Sequence, residues 1–170
     1  MSNSFGRVGF AALLVAAMSP APAGAAILGR DAAACMPGAS DSAVLVRVTG
    51  FKARTGELRV QLYGDNPDDF LAPGKKLRRV ELPVTPAGPM AVCVMTPSDG
   101  AYAIAVRHDV DGDGKSGWSD GGGFSRNPHI SLFKLKPRLS EVVFHVTGHT
   151  AIDVVLNYRQ GLTIGPIRQD

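Results

Sequence analysis

The sequence has no long stretch that is free of glycine and proline. Its 170 residues include 20 glycines and 12 prolines, and both residue types interrupt helices, which argues against an all-helical bundle. The chain also lacks a strong charge of one sign, since 18 Lys and Arg residues oppose 15 Asp and Glu residues. Nucleic-acid binding through bulk charge is therefore not indicated. With 45% hydrophobic and 19% charged residues, the composition is that of one globular domain and not of a disordered chain.

Sequence motifs of common enzyme classes are missing as well. The sequence contains no Gly-x-Ser-x-Gly, no His-Glu-x-x-His, no phosphate-binding loop and no dinucleotide-binding glycine pattern. A hydrolase or a nucleotide-dependent enzyme would have to assemble its site from residues that are scattered along the chain.

Residues 1–25 have the pattern of a secretory signal peptide. Arg7 provides a positive start, residues 8–18 form an apolar run, and small residues follow up to a cleavage site predicted after Ala25. The apolar run is too short for a membrane span, which needs about 20 residues. The sequence therefore predicts export to the periplasm or the extracellular space, with no transmembrane segment after cleavage.

Only two cysteines are present, Cys35 and Cys93, and both follow the predicted cleavage site. An even pair in an exported chain predicts a single disulfide, although two buried free thiols are the alternative that sequence alone leaves open. A disulfide would attach the N-terminal segment 26–42, which is expected to be irregular, to the strand that carries Cys93.

From residue 43 onward, hydrophobic residues recur at every second position, which predicts short strands. Thr55-Gly56 predicts a hairpin between the first two strands, and apolar residues on both faces of 101–108 predict a central strand. The pattern favours an all-β fold, a single antiparallel sandwich of about seven strands over residues 43–158, followed by a polar tail at 159–170. The predicted strands are 44–49, 58–63, 77–84, 90–95, 101–108, 141–146 and 151–158.

An acidic loop, residues 109–120, follows the predicted central strand. Its aspartates stand at positions 1, 3, 5 and 12 of the twelve-residue calcium-binding pattern, and Gly114 stands at position 6. Alternating carboxylates converge on one cation if the chain wraps around it, and glycine permits the sharp turn that brings the next carbonyl inward. The predicted calcium ligands are the carboxylates of Asp109, Asp111, Asp113 and Asp120 and the backbone carbonyl of Lys115.

The match to a calcium-binding loop is incomplete. Position 12 is an aspartate, which is shorter than the usual glutamate, and no predicted helix flanks the loop. The site would therefore be carried by a strand and would not be an EF-hand. The alternative is an acidic loop whose aspartates only form turns and whose Lys115 offsets their charge.

Three motifs lie in and around this loop: Gly-x-Tyr-Ala at 100–103, His-Asp-x-Asp-x-Asp-Gly-Lys at 108–115 and Gly-Phe-Ser-x-Asn at 123–127. They resemble the motifs of an exported bacterial family, the domain of unknown function DUF2141, and the resemblance extends from about residue 44 to 158. Gly117 stands where many members have an acidic residue, and the insert before Gly-Phe-Ser is shorter here. The resemblance implies a small immunoglobulin- or transthyretin-like sandwich and no established activity.

Four further residues are expected to orient the loop: His108, Gly114, Phe124 and Ser125. The ring of His108 suits this structural role through hydrogen bonding, although it could also serve as a metal ligand or a base beside Asp109. Trp118 and Phe124 either form a platform for a sugar or peptide or fold back as a small core of the loop itself, and we expect the second arrangement.

Three functions are compatible with these residues. The one we favour is an exported, non-catalytic β-sandwich with a binding or structural role that binds calcium through the acidic loop. The alternative from another class is a metal-dependent, hydrolase-like enzyme that uses His108 and the acidic loop. The third is an adhesion or scaffold module without an ion. The expected partner is an extracytoplasmic protein or a glycan, not a nucleic acid.

Overall fold

The computed structural model describes residues 26–167. The signal peptide predicted at 1–25 lies outside the described residues, as do the last three residues of the predicted tail. Within 26–167 the regular secondary structure is almost entirely β-strand, with one four-residue α-helix, so the prediction of an all-β fold is confirmed. No helix in this range is long and apolar enough to cross a membrane.

The described chain contains eleven strands and one α-helix, α1 (Leu139–Val142), and a 3₁₀ turn at Ala32–Cys35. The strands are β1 (Ile27–Leu28), β2 (Ala43–Thr49), β3 (Glu57–Tyr63), β4 (Arg78–Pro83), β5 (Met90–Met95), β6 (Gly100–Asp109), β7 (Gly121–Phe124), β8 (Phe144–Val146), β9 (His149–Val155), β10 (Asn157–Gln160) and β11 (Thr163–Pro166).

These strands form two sheets. The smaller sheet has the order β1-β5-β2-β9, and the larger has the order β11-β10-β7-β6-β3-β4, with β8 paired to the start of β6. Most neighbours are antiparallel, but β1 runs parallel to β5 and β2 runs parallel to β9. The prediction of a single antiparallel sandwich of about seven strands is corrected in two respects, because the pairing is mainly but not entirely antiparallel and residues 26–167 contain eleven strands. β6 does lie inside its sheet, between β3 and β7, as its two apolar faces predicted.

Buried side chains from both sheets form one hydrophobic core. Successive side chains of a strand point to opposite faces, so every second residue enters this core. The alternation that predicted the strands therefore also identified many of the core residues. Fully or almost fully buried members include Val44, Val46 and Val48 of β2, Val60 and Leu62 of β3, Val92 of β5 and Ile104 of β6.

The connection between β2 and β3 is not the predicted hairpin. β2 pairs with β5 and β9, whereas β3 pairs with β4 and β6, so the chain changes sheets between Thr49 and Glu57. Phe51 is buried in the common core, and the carbonyl of Thr49 accepts a hydrogen bond from the backbone N–H of Leu156. Burial of Phe51 draws this segment across the core, which the local turn signal at Thr55-Gly56 does not reveal.

Three other segments differ from their predictions. The predicted strand 141–146 lies in α1 up to Val142 and forms a paired strand only from Phe144. The predicted strand 151–158 is divided between the two sheets, because β9 ends at Val155 in one sheet and β10 begins at Asn157 in the other. Part of the predicted polar tail continues β10 and forms β11, up to Pro166.

Cys35 and Cys93 form a disulfide, as predicted. The bond joins the 3₁₀ turn to β5, and the two cysteines pack with Ala34 and Ala43 in a small second core. The N-terminal segment is less irregular than expected, since β1 pairs with β5. The Asp31 carboxylate also accepts a hydrogen bond of 3.2 Å from the backbone N–H of Met95.

Candidate metal-binding loop and adjoining cavity

The last residue of β6, Asp109, lies inside the protein at the start of the acidic loop. Its exposed fraction is 2%. The turn before β3 approaches it closely at Gly56, where an added Cβ would lie 1.8 Å from the Asp109 carbonyl oxygen. The φ angle of Gly56 is also positive, at +73°, a conformation that glycine adopts readily. Only glycine therefore allows this turn to support the base of the loop.

The Asp109 carboxylate is held by three hydrogen-bond donors. Oδ1 accepts from the N–H of Gly112 at 2.9 Å, and Oδ2 accepts from the N–H of Gly114 at 3.0 Å and from the Arg107 guanidinium at 2.7 Å. Burial by itself raises the pKa of Asp109, but the charge of Arg107 and the hydrogen bonds from the N–H groups of Gly114 and Gly112 outweigh it and lower the pKa. Asp109 is therefore an anion at neutral pH.

The other aspartates fold the loop through hydrogen bonds to its own backbone. Asp111 accepts from the N–H of Asp113 at 3.3 Å, and Asp113 accepts from the N–H of Lys115 at 2.7 Å. Asp120 closes the loop, because Oδ1 accepts from the N–H of Val110 at 3.1 Å and Oδ2 accepts from the N–H of Gly117 at 2.8 Å. Each aspartate thus stabilises a turn, and these turns wrap the chain around its acidic groups.

The structure brings three of the four predicted carboxylates together. One oxygen atom from each of Asp109, Asp111 and Asp120 lies within 4.8 Å of the others, and these three residues are called the carboxylate cluster below. Asp113 is exposed and lies outside this cluster. The Lys115 carbonyl stays a prediction as a ligand. Carboxylate oxygens at this separation could hold a metal ion.

His108 is fully buried beside the loop, and both of its ring nitrogens are engaged. Nε2 lies 2.8 Å from the carbonyl oxygen of Thr55, and Nδ1 lies 2.6 Å from the hydroxyl of Tyr158. Because a carbonyl oxygen only accepts, Nε2 carries a proton, and in the neutral ring Nδ1 accepts from the hydroxyl. Burial, with Asp120 nearby, raises the pKa of Tyr158 to about 12, so this hydroxyl keeps its proton. His108 thus ties β6 to the β2–β3 connection and to β10.

Gly114, Phe124 and Ser125 also contribute to the surroundings of the loop. Gly114 has a φ of +78° and directs its N–H to Asp109. The buried hydroxyl of Ser125 accepts a hydrogen bond of 3.0 Å from the N–H of Ile104 and donates one of 2.5 Å to the carbonyl of Val142. Phe124 packs edge-on against another aromatic ring, that of Phe70. The hydrogen bonds of Ser125 hold the end of β7 against β6 and α1.

Trp118 does not fold back into a small core, and that expectation was wrong for this residue. Its side chain is 76% exposed, and the Arg159 guanidinium lies 3.5 Å from the centre of its ring. Beside this pair is a cavity of about 480 Å³. The polar side of the cavity includes Asp120, Asn157 and Arg159, and its apolar walls are Phe124, Ile130, Leu132, Leu135 and Ile164.

The chain was compared with models of known protein families. The family described as "Uncharacterized protein conserved in bacteria (DUF2141)" matches residues 46–153. The chain belongs to this family. No curated protein and no solved structure matches the chain. The DUF2141 match contains the whole acidic loop and Cys93, whereas Cys35 and the β10–β11 hairpin lie outside it.

The sequence of this DUF2141 domain did not predict a role for Arg107 or Arg159, and it did not predict the cavity. The contact of Arg107 with Asp109 could have been predicted, because the two residues are two positions apart and therefore lie on the same face of the strand. The contact of Arg159 with Trp118 could not have been predicted, since only the pairing of β10 with β7 brings Arg159 to Trp118. The cavity walls come from four separate parts of the chain, and no local pattern unites them.

Proposed function

We propose that this DUF2141 protein is an exported, non-catalytic binding module with an immunoglobulin- or transthyretin-like sandwich, and that a calcium ion organises its loop 109–120. One observation carries the proposal. One carboxylate oxygen from each of Asp109, Asp111 and Asp120 lies within 4.8 Å of the others. Asp120 is nevertheless separated from Asp111 in the sequence, and the hydrogen-bonded turns between them bring the two residues together.

The charge balance of the loop supports a divalent cation. The four aspartates of residues 109–120 carry four negative charges, and Arg107 and Lys115 carry two positive charges. Two negative charges are therefore in excess, which one divalent ion would balance. The carboxylate cluster offers only oxygen ligands, and hard cations such as Ca²⁺ prefer oxygen, whereas zinc sites usually include histidine or cysteine.

The environment of His108 supports binding over catalysis. A metal ligand or general base needs a ring nitrogen that is free to meet the metal or the substrate. Both ring nitrogens of His108 are instead held by Thr55 and Tyr158 in a buried position. Removing either contact would leave a buried polar atom without a partner, which is costly.

Export is supported by the Cys35–Cys93 disulfide, because disulfides persist in oxidising compartments. The signal peptide at 1–25 belongs to the same proposal. So does the partner, an extracytoplasmic protein or a glycan.

Thermal unfolding of the purified protein tests the calcium proposal. An ion that binds only the folded state raises the melting temperature, so we expect a saturable rise with calcium relative to chelator. Asp111→Ala should abolish this rise and leave the melting temperature in chelator almost unchanged, because the only hydrogen bond that Asp111 accepts is exposed. Asp41→Ala is the matched control, since Asp41 is exposed and outside the cluster.

Two results would contradict the proposal. An unchanged melting temperature in calcium, magnesium and zinc would mean that the aspartates only form turns. A rise with zinc alone would favour the hydrolase-like alternative.

A further inference from the structure

The cavity beside the acidic loop has the size and lining of a small-molecule site. Its volume of about 480 Å³ lies within the range of known ligand pockets, about 300 to 1,000 Å³, which are mostly apolar with a few placed polar groups. It lies between the end of the acidic loop, β7 and the β10–β11 hairpin, with the segment around 130–135 on its remaining side. The cavity is therefore built by elements from different parts of the fold.

The apolar walls of the cavity remain partly open to water. Leu135 lines the cavity and is 56% exposed, and Trp118 at its edge is 76% exposed. Exposed apolar side chains that gather around a concavity mark a binding site more often than an ordinary surface. An apolar ligand group would remove this surface from water, which is favourable.

Arg159 places a fixed positive charge at the edge of these apolar walls. Its guanidinium lies over the Trp118 ring at 3.5 Å, and its Nε donates a hydrogen bond of 2.9 Å to the carbonyl of Gly161. Within residues 26–167, none of the salt bridges involves Arg159. A guanidinium that is held in place and forms no salt bridge with the described carboxylates is suited to an anionic ligand group.

Asp120 connects this cavity to the carboxylate cluster. It lines the cavity and also belongs to the cluster with Asp109 and Asp111. Without a cation, the negative charge of Asp120 opposes an anion at Arg159. A divalent cation in the cluster would neutralise this charge, so the potential at the cavity would become more positive.

We propose that the cavity binds a small amphipathic anion, a molecule with an apolar body and one carboxylate, sulfonate or phosphate group. The apolar body lies against the walls that include Ile130 and Leu135, and the acidic group pairs with Arg159. Calcium in the acidic loop raises the affinity for this ligand, a coupling that rests on the function proposed above.

Trp118 makes the test direct, because it is the only tryptophan in the sequence. Its fluorescence is followed while octanesulfonate, octanol or octyltrimethylammonium is added to the purified protein in millimolar calcium, and calorimetry gives a second readout. We expect saturable binding of octanesulfonate, with octanol at least about tenfold weaker and no binding of the cation. Equal binding of all three probes, or of none, would overturn the proposal.

Two variants locate the site. Arg159→Gln should lower the affinity for octanesulfonate by about tenfold and leave the affinity for octanol unchanged. Arg78→Gln is the control, because it alters an exposed arginine of β4, and it should bind both probes with wild-type affinity. Leu135→Asp changes a side chain that lines the cavity and is largely exposed, and it should abolish binding. Wild-type affinity in both Arg159→Gln and Leu135→Asp would overturn the assignment to this cavity.

Vesicles of phosphatidylglycerol test whether the anion is instead part of a lipid surface. If the protein binds only to these vesicles and does not respond to octanesulfonate, the proposal of a small-molecule site is overturned.

Repeating the titration in chelator separates this inference from the calcium proposal. Allosteric couplings are commonly fivefold or more, so we expect octanesulfonate to bind at least about fivefold more weakly without calcium. If calcium raises the melting temperature but not this affinity, the coupling is wrong and the calcium site stands. If calcium has no effect on the melting temperature while octanesulfonate still binds through Arg159, the calcium proposal fails and the anion site stands.

Discussion

The hydroxyl of Tyr158 on β10 lies 2.6 Å from Nδ1 of His108 on β6, although β7 separates these two strands in the sheet. Both residues are in register with the same residue of β7, Gly121. A Cβ atom at Gly121 would lie 2.3 Å from the Tyr158 ring. The ring therefore crosses the β7 backbone where there is no side chain, and this crossing brings its hydroxyl to His108.

Replacing Gly121 by alanine should displace the Tyr158 ring. We expect Gly121→Ala to lower the free energy of unfolding by about 1–3 kcal/mol, as overpacking of a core typically does. Gly122→Ala is the control on the same strand, because its Cβ would meet only Val106 O at 3.6 Å, an ordinary contact. Urea denaturation gives the free energy of unfolding of the two variants. Equal losses in this free energy would show that the close approach of the Tyr158 ring to Gly121 does not make alanine there specifically destabilising.

Tyr158→Phe should show how much the hydroxyl alone contributes to the free energy of unfolding. The ring remains, but Nδ1 of His108 stays buried without its partner, and such an unsatisfied group costs about 1–3 kcal/mol. Tyr102→Phe is the comparison, since its hydroxyl donates to the carbonyl of Ser98 in a loop, at 2.9 Å in a partly buried position. We expect a loss below about 1 kcal/mol there. Chemical denaturation in chelator measures both, and a smaller loss for Tyr158→Phe would contradict the predicted role.

Removal of the Cys35–Cys93 disulfide should destabilise the protein strongly. The two cysteines are 58 residues apart, and closing a loop of that length stabilises the folded state by about 4 kcal/mol in the chain-entropy model. Denaturation of the double variant Cys35→Ser, Cys93→Ser against the wild type measures the effect. Thiol labelling of the unreduced, unfolded wild type should find no free thiol. Two labelled sites would show that the bond does not form.

Stability should fall at acidic pH partly through Asp109. Its pKa is lower in the folded protein than its usual value near 4, so its contribution is present above about pH 4 and is lost as the pH falls through the folded-state pKa. Asp109→Asn should be less stable at neutral pH and lose less stability below about pH 4. Other carboxyls with lowered pKa, including Glu81 and Asp99, remain in both proteins.

The measurement for Asp109 is the free energy of unfolding in chelator between about pH 3 and 7. Asp41→Asn, at an exposed position outside the cluster, should follow the wild-type curve. If the free energy of unfolding of Asp109→Asn falls with decreasing pH as steeply as that of the wild type, this carboxyl does not contribute to the acid sensitivity.

The strands themselves could be predicted because their signal is local. In β2, alternation places Val44, Val46 and Val48 on one face, and all three are buried. The partners of each strand could not be predicted in this way. The apolar alternation of residues 152–158 continues without interruption, yet the chain changes sheets at Leu156, because the side chains on both sides of the change face the same core.

The acidic loop was also predictable, since its aspartates and glycine lie within twelve residues. The spacing did not distinguish Asp113, which remains in solvent, from Asp109, which is buried against Arg107. Nor did it reveal the support from Gly56 and Tyr158. Gly56 reaches Asp109, and Tyr158 reaches His108 beside the loop, because β3 pairs with β6 and β10 pairs with β7.

The sequence by itself determined the β-rich backbone, most of the core side chains and the turns of the acidic loop, because alternation and aspartate–backbone hydrogen bonds act over a few residues. Tertiary structure decided which strands pair, including the parallel neighbours β2 and β9. It also decided that Arg159 meets Trp118 beside a cavity. Those contacts join residues far apart in the chain, and they form where burial of the whole core outweighs any local preference.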